Sequence, residues 1–348
     1  MKYAFNGRFL TKKLTGQERF ATELLFQLDK LAKKGEYCVV TSTNPVWLPQ
    51  YKNIEIIQIG KLKREAWEQF CLGPFLKKNH LKCVNLTSTF AFGHCEVVCL
   101  HDASVFEIGG QYMHSIYGFL GTIWKRLLCR IAARKSEKII TVSEYSKNKL
   151  SEILSIPESK TTVIYNAWQH YSRVETDDSI QQRLPDNIKK GEYFFAMSSL
   201  SPQKNFIWIK EVAKRNPNSM FVITGKSEGF THLGIDDLKT NNLYFTGYLS
   251  DGEIKWLMQN CRAFIHPAIY EGFGIPPLEA MSCGAEIIVS TATCLPEIYQ
   301  NSVHYIDPYD YEVDLDALLR QPIESREKVL ERFDWQKEAE KLYKLLTE

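Results

Sequence analysis

The sequence predicts an α/β chain of two successive doubly wound domains, on three observations. Its 348 residues exceed what one hydrophobic core ordinarily supports. Short β-branched or aromatic runs alternate with amphipathic helical stretches, the pattern of parallel sheets built from strand–helix units. The alternation breaks once, in a polar and aperiodic stretch over 168–190, and then resumes.

In the first half, strands are expected over Lys2–Asn6, Tyr37–Thr41, Ile54–Gln58, Lys82–Leu86, Val97–His101, Lys138–Val142 and Thr161–Tyr165. The helix after the first strand is marked by Phe20, Leu24, Leu28 and Leu31 on one face. These elements make an N-terminal domain over 1–168, followed by a linker over 169–190. A second series begins at Tyr193–Met197 and continues with Met220–Thr224, Leu243–Phe245, Ala263–His266, Glu286–Val289 and Val303–Ile306. A helix over Ser250–Cys261 fills one of its gaps, and the C-terminal domain runs over 191–330. Residues 331–348 read as a terminal helix expected to cross back to the first domain. Two such domains imply a cleft, and parallel sheets bind ligands beyond the C-terminal ends of their strands.

Composition is that of an ordinary globular protein, 44% hydrophobic and 24% charged. No apolar run reaches the roughly 18 residues of a spanning helix, and the polar start Met1–Gly7 does not resemble a signal peptide. The expected location is cytoplasmic. Nine cysteines with no C-x-x-C pair suit a reducing compartment better than a disulfide framework. His94, Cys95, Cys99 and His101 have the types of a metal site. A short buried strand over Glu96–Leu100 would turn alternate side chains to opposite faces, so no metal is expected. The net charge of +2 divides into about +10 over residues 1–170 and about −8 over the remainder. No nucleic acid partner is expected. The basic first half suits an anionic membrane surface or a phosphorylated acceptor.

The chemistry concentrates in His266-Pro-Ala-Ile-Tyr-Glu-Gly-Phe-Gly-Ile-Pro-Pro-Leu-Glu-Ala-Met281. A strand ends near His266, a loop with Gly272 and Gly274 follows, and Pro276-Pro277 stands where a helix begins. Free N–H groups and the positive dipole end at such a start make an anion site, and glycines admit a diphosphate closely. Glu271 and Glu279 are acceptors suited to polyol hydroxyls. One anion site between two hydroxyl acceptors is what a nucleotide diphosphate-sugar requires.

The E-x7-E pattern within Glu271–Met281 resembles the signature of glycosyltransferase family 4, retaining enzymes of the GT-B fold, in which two Rossmann-like domains face each other across a cleft. The resemblance extends over nearly the whole chain. It includes Thr15-Gly16-Gln17, His101-Asp102, Thr141–Ser146, Val163–Asn166, Ser198–Asn205, Phe245–Tyr248 and Leu295-Pro-Glu297. It implies that Glu279 binds ribose hydroxyls, that Glu271 contacts the donor sugar, and that backbone N–H groups of Phe273, Gly274 and Ile275 beside Gly272 hold sugar and phosphates. Lys204, next to Asn205, would neutralise the diphosphate, and Gly247, Tyr248 and Leu249 would lie along the base. Gly16 would let the first loop approach the phosphates, and His101 would contact the donor sugar or the reacting centre. Relatives commonly carry arginine where this chain has Ser198 and Gln203, which leaves Lys204 as the expected side-chain cation on the diphosphate.

The resemblance thus implies a metal-independent, retaining hexosyltransferase that moves a hexose or deoxyhexose, with no cofactor beyond its nucleotide diphosphate-sugar co-substrate. Its acceptor would be a glycan or lipid-linked glycan, as in O-antigen, lipopolysaccharide or capsule synthesis. Basic and aromatic residues mixed over Lys61–Lys82 and Ile116–Arg130 suit a peripheral contact with the inner face of the plasma membrane. A nucleotide-sugar epimerase of the same fold and a non-catalytic sugar-nucleotide-binding subunit are the alternative readings.

Overall fold

A computed structural model describes residues 3–112, 116–197, 201–225 and 241–348. The chain divides into two compact units, Met1–Asn166 together with Asp334–Glu348, and Ala167–Phe333.

Among the described residues the first unit holds a seven-stranded sheet. Its strands are β1 (Tyr3–Asn6), β2 (Tyr37–Thr41), β3 (Glu55–Gln58), β4 (Lys82–Asn85), β5 (Val97–Cys99), β6 (Lys138–Thr141) and β7 (Thr161–Val163). All pair in parallel in the order β3-β2-β1-β4-β5-β6-β7, so the winding reverses between β1 and β4. The inner strands are buried on both faces, which is why they read as continuous apolar runs.

The helix Gly16–Leu31 buries Phe20, Ala21, Leu24, Leu25 and Leu28, the stripe its periodicity predicts. The C-terminal helix Trp335–Thr347 packs beside it and belongs to this unit. Asp334 caps its start by accepting from the N–H groups of Gln336 and Lys337. Trp335 meets Phe20 edge to face, with ring centroids 6.2 Å apart, and Tyr343 meets Tyr37 at 6.4 Å.

The second unit holds, among its described residues, a six-stranded parallel sheet. Its strands are β8 (Tyr193–Met197), β9 (Met220–Thr224), β10 (Leu243–Phe245), β11 (Ala263–His266), β12 (Ile287–Ser290) and β13 (His304–Ile306). Their order is β10-β9-β8-β11-β12-β13, with the reversal between β8 and β11. The helix expected over Ser250–Cys261 runs over Asp251–Asn260. Ser250 and Glu253 form a reciprocal capping box at its start.

The stretch read as a linker over 169–190 is part of this second unit. Residues Gln169–Ser172 form a helical turn, and Tyr171 and Ile180 are buried. The Lys255 ammonium donates to the carbonyls of Tyr171 (3.1 Å) and Val174 (2.7 Å), and Asp177 N–H donates to Gly252 O at 3.1 Å. The segment is anchored by single side chains and backbone groups at irregular spacing, so it carries no periodic signal.

Candidate functional site

The site in the second unit lies at the C-terminal ends of β8 and β11, where the winding reverses. Loops part there, which makes it the natural crevice of an open parallel sheet. The loop after β8 carries Lys204 and the loop after β11 carries Glu271. Ile269 N–H donates to Gln203 O at 2.8 Å and ties the two loops together. Asn205, in the left-handed conformation at φ 53°, adds bonds from its Nδ2 to Pro267 O (3.0 Å) and Pro308 O (2.8 Å). Asn205 is therefore a brace that fixes the Lys204 turn.

Glu271 is the centre of this cluster. Lys204 Nζ donates to its Oε1 at 2.5 Å, and His266 Nε2 lies 2.9 Å from the same oxygen. Its backbone is pinned by Thr293, whose Oγ1 accepts from Glu271 N–H (3.1 Å) and donates to Glu271 O (3.0 Å). Burial pushes the Glu271 carboxyl up, but the Lys204 ammonium and the His266 hydrogen bond overcome it and hold it down at about 2. Burial likewise lowers the pKa of His266. The cluster thus presents a fixed carboxylate and a fixed ammonium side by side.

The loop then enters the helix Ile275–Ser282 through Gly274, which caps it at φ 85°. A Cβ at Gly274 would stand 2.8 Å from Leu295 Cδ2, so both conformation and space demand glycine. Tyr299 Oη donates to Gly274 O at 2.5 Å and Phe273 packs edge-on against Phe333. Pro276 and Pro277 contribute no N–H, so the backbone N–H groups at this helix start are those of Phe273, Gly274 and Ile275.

Glu279, one turn into the helix, is also held. His170 Nε2 lies 2.7 Å from its Oε1, and the imidazole is fully buried. His170 comes from the helical turn Gln169–Ser172, so the stretch read as a linker positions one of the two signature carboxylates. Gly247 (φ 74°) follows β10, and its carbonyl accepts from Gly225 N–H at 2.9 Å. Beside it Tyr248 is 83% exposed, an aromatic face open to a stacking partner, and Leu249 is half-buried. Ser198 lies outside the described residues.

Two expected residues belong to the first unit. Gly16 is exposed at the start of the helix Gly16–Leu31. His101 follows β5 and is buried. Its Nε2 lies 2.9 Å from Leu86 O and its ring meets Phe20 edge-on at 5.0 Å. Burial lowers its pKa and favours neutral imidazole. Among the described residues no group of three or more His, Cys, Asp or Glu side chains is disposed to hold a metal ion, His94, Cys95, Cys99 and His101 included.

His266, Thr293 and His170 were not anticipated. His266 was legible as the last residue of a strand five positions before Glu271. Thr293 stands two residues before Leu295-Pro-Glu297. For His170 the sequence offers no local signal, since its partner is 109 residues away.

Residues 178–341 match the family of glycosyl transferases group 1. The O-antigen chain mannosyltransferase RfbU of Salmonella typhimurium is 27% identical over 221 residues, 62% of this chain and 57% of that protein. The O-antigen chain mannosyltransferase B of Escherichia coli is 41% identical over 185 residues, 50% of this chain and 48% of that one. The chain therefore spans about half the length of these curated relatives. Anabaena HepE, solved in complex with UDP-glucose, superposes with a TM-score of 0.68 over 100% of this chain and 99% of its own, at 17% identity. This likeness shows that the fold is GT-B.

Proposed function

We propose that this chain, whose residues 178–341 match the glycosyl transferases group 1, is a retaining, metal-independent glycosyltransferase of cell-surface polysaccharide synthesis. It moves a hexose from a nucleotide diphosphate-sugar to a glycan or lipid-linked glycan. The observation that carries this reading is the Lys204–Glu271 pair beside the Gly274-capped helix start, at the reversal point of a parallel sheet. The helix start and Lys204 stabilise the departing diphosphate. Glu271 orients donor-sugar hydroxyls, and Glu279, held by His170, receives the ribose. The bond from the anomeric carbon to the diphosphate breaks as the acceptor hydroxyl attacks from the same face. The hydroxyl proton passes to a phosphate oxygen of the leaving group. The acid/base pair of a glycoside hydrolase has no counterpart here, since Glu271 is held ionised by its two cationic or proton-sharing neighbours.

The relatives' mannosyltransferase names make GDP-mannose the first donor to test, and the HepE complex makes UDP-glucose the second. The test is release of nucleotide from GDP, UDP and dTDP sugars with and without a polyprenyl diphosphate-linked glycan, in EDTA. Acceptor-dependent release retained in EDTA and abolished by Glu271→Ala, with nucleotide binding largely kept, is expected. Unchanged turnover in that variant refutes the site. Conversion of the donor sugar with no acceptor present supports the epimerase reading.

A membrane contact is supported by the helix Ile116–Lys135. Phe119, Ile123 and Leu127 form an exposed stripe at successive turns, with Leu120 alongside and Arg130 and Arg134 exposed beyond. Among the described residues no helix is long and apolar enough to cross a membrane. Flotation with vesicles containing anionic lipid at low salt is expected to carry the protein upward. A double charge insertion, Phe119→Glu with Ile123→Glu, should abolish this.

A further inference from the structure

A cavity of about 770 Å3 lies wholly within the first unit, at the C-terminal ends of β1, β2 and β3. Its wall carries four cationic side chains, Arg8, Lys12, Lys63 and Arg64, against one carboxylate, Glu65, with Trp67 on its apolar side. Arg8 is 6% exposed and fixed: Nη1 donates to Glu68 Oε2 at 2.6 Å and Nη2 to Glu65 Oε1 at 2.5 Å. Glu68 is itself held by Asn6 Nδ2 (2.8 Å) and Thr89 Oγ1 (2.7 Å), so the inner half of this network is rigid. Its outer half is different, because Glu65 keeps 46% of its side chain in solvent. Lys12 is partnered by Glu18 at 3.2 Å, whereas Lys63 and Arg64 form no ion pair among the described residues.

We propose that this cavity is an anion subsite that receives a phosphate or diphosphate group of the acceptor, which displaces Glu65 from the Arg8 guanidinium and is gripped by Lys63 and Arg64. The inference deepens the glycosyltransferase reading by naming the acceptor class, and it rests on that reading for the word acceptor alone. A buried guanidinium that presents a fixed edge is suited to an oxyanion. Two cations at the rim, Lys63 and Arg64, the latter already acting on Glu65, supply the charge a dianion needs once the half-exposed glutamate is displaced, at little cost. Trp67, fully buried with its Nε1 bonded to Ile59 O at 2.8 Å, gives a rigid apolar wall beside the charges. A phosphorylated sugar and a lipid diphosphate share this chemistry.

The test is calorimetric titration of inorganic pyrophosphate into the full chain and three variants. Lys63→Ala with Arg64→Gly should weaken binding at least tenfold. Glycine suits position 64, where the backbone stands at φ 54°. Glu65→Gln should tighten binding several-fold, because the competing carboxylate is gone. Lys204→Ala removes the donor site's share of the response and should leave in place the component that the Lys63/Arg64 variant loses. Absence of pyrophosphate binding, equal affinity in the Lys63/Arg64 variant, or loss confined to Lys204→Ala would each overturn the proposal. Titration of GDP-mannose and UDP-glucose into the same proteins reads the donor site separately, so failure of either reading is seen on its own. Glucose 1-phosphate and farnesyl diphosphate, titrated in parallel, tell the sugar phosphate from the lipid diphosphate.

Discussion

At the scale of single residues, the two signature glutamates are held by different neighbours, and each arrangement has a measurable consequence. The Glu271 carboxyl is lowered to about 2 against an ordinary 4.5. Between those values the unfolded chain binds a proton that the folded chain refuses, so this group's stabilisation is complete above about pH 4.5. It is lost as pH falls toward 2. Denaturant unfolding of wild type and Glu271→Gln at pH 7 and pH 3 should show the wild type losing on the order of 2 kcal/mol more over that interval. Identical pH dependence would mean that Lys204 does not hold the carboxylate in solution. Glu279 depends on His170 for its orientation. His170→Ala should raise the dissociation constant for nucleotide diphosphate about tenfold, the equivalent of one lost hydrogen bond to a charged group. Turnover at saturating donor should change little, and His170→Gln should restore much of the affinity. An equal fall in turnover would make His170 part of the chemistry instead of a positioning residue.

At the scale of elements, the helix Ile275–Ser282 exists in this register because Gly274 turns the chain into it. Gly274→Ala should destabilise the protein by about 2 kcal/mol or more. Positive φ costs an L-residue roughly 1–2 kcal/mol, and the added methyl meets Leu295. Combining it with Leu295→Ala should be less than additive in thermal unfolding, since only the clash is relieved. This turn was legible in the sequence, because glycine and the two prolines mark it by their own backbone preferences. The strands were legible for a similar reason: Tyr193–Met197 is apolar over its whole length and Ala263–His266 is apolar up to its last residue. Pairings made across the fold were not. The Lys204 contact to Glu271 spans 67 residues and the His170 contact to Glu279 spans 109, and neither leaves a local pattern. Residues 169–190 show no periodic pattern because their anchoring is by isolated groups. The Arg8 cluster was invisible since Arg8, Glu65 and Glu68 are ordinary surface types until the fold buries Arg8 and Glu68 and sets Glu65 beside them.

At the scale of the whole molecule, chain order and compact units do not coincide. The first unit is completed by residues that follow the second in sequence. Trp335, Leu342 and Leu346 are buried on the helix Trp335–Thr347, and that helix covers Phe20 and Tyr37 of the first unit. It is stitched there by Tyr165 N–H, which donates to Glu338 Oε2 at 2.9 Å, and by the Lys138 ammonium, which donates to Leu345 O at 2.5 Å. Burial raises the Glu338 pKa even though Lys341 and the Tyr165 N–H favour its charge, so the carboxylate is desolvated by this docking. Removing residues 334–348 therefore exposes an apolar stripe and strips the helix Gly16–Leu31 of its neighbour. It should not disturb the second unit, which is continuous from Ala167 to Phe333. The fragment 167–333, expressed alone, should fold cooperatively and bind nucleotide diphosphate. The fragment 1–166 should be insoluble or bind a hydrophobic dye, and adding a peptide of residues 334–348 in trans should suppress that dye signal. A well-folded 1–166, with native-like amide exchange protection in the helix Gly16–Leu31, would show that the terminal helix is an accessory and not a structural part of the first unit.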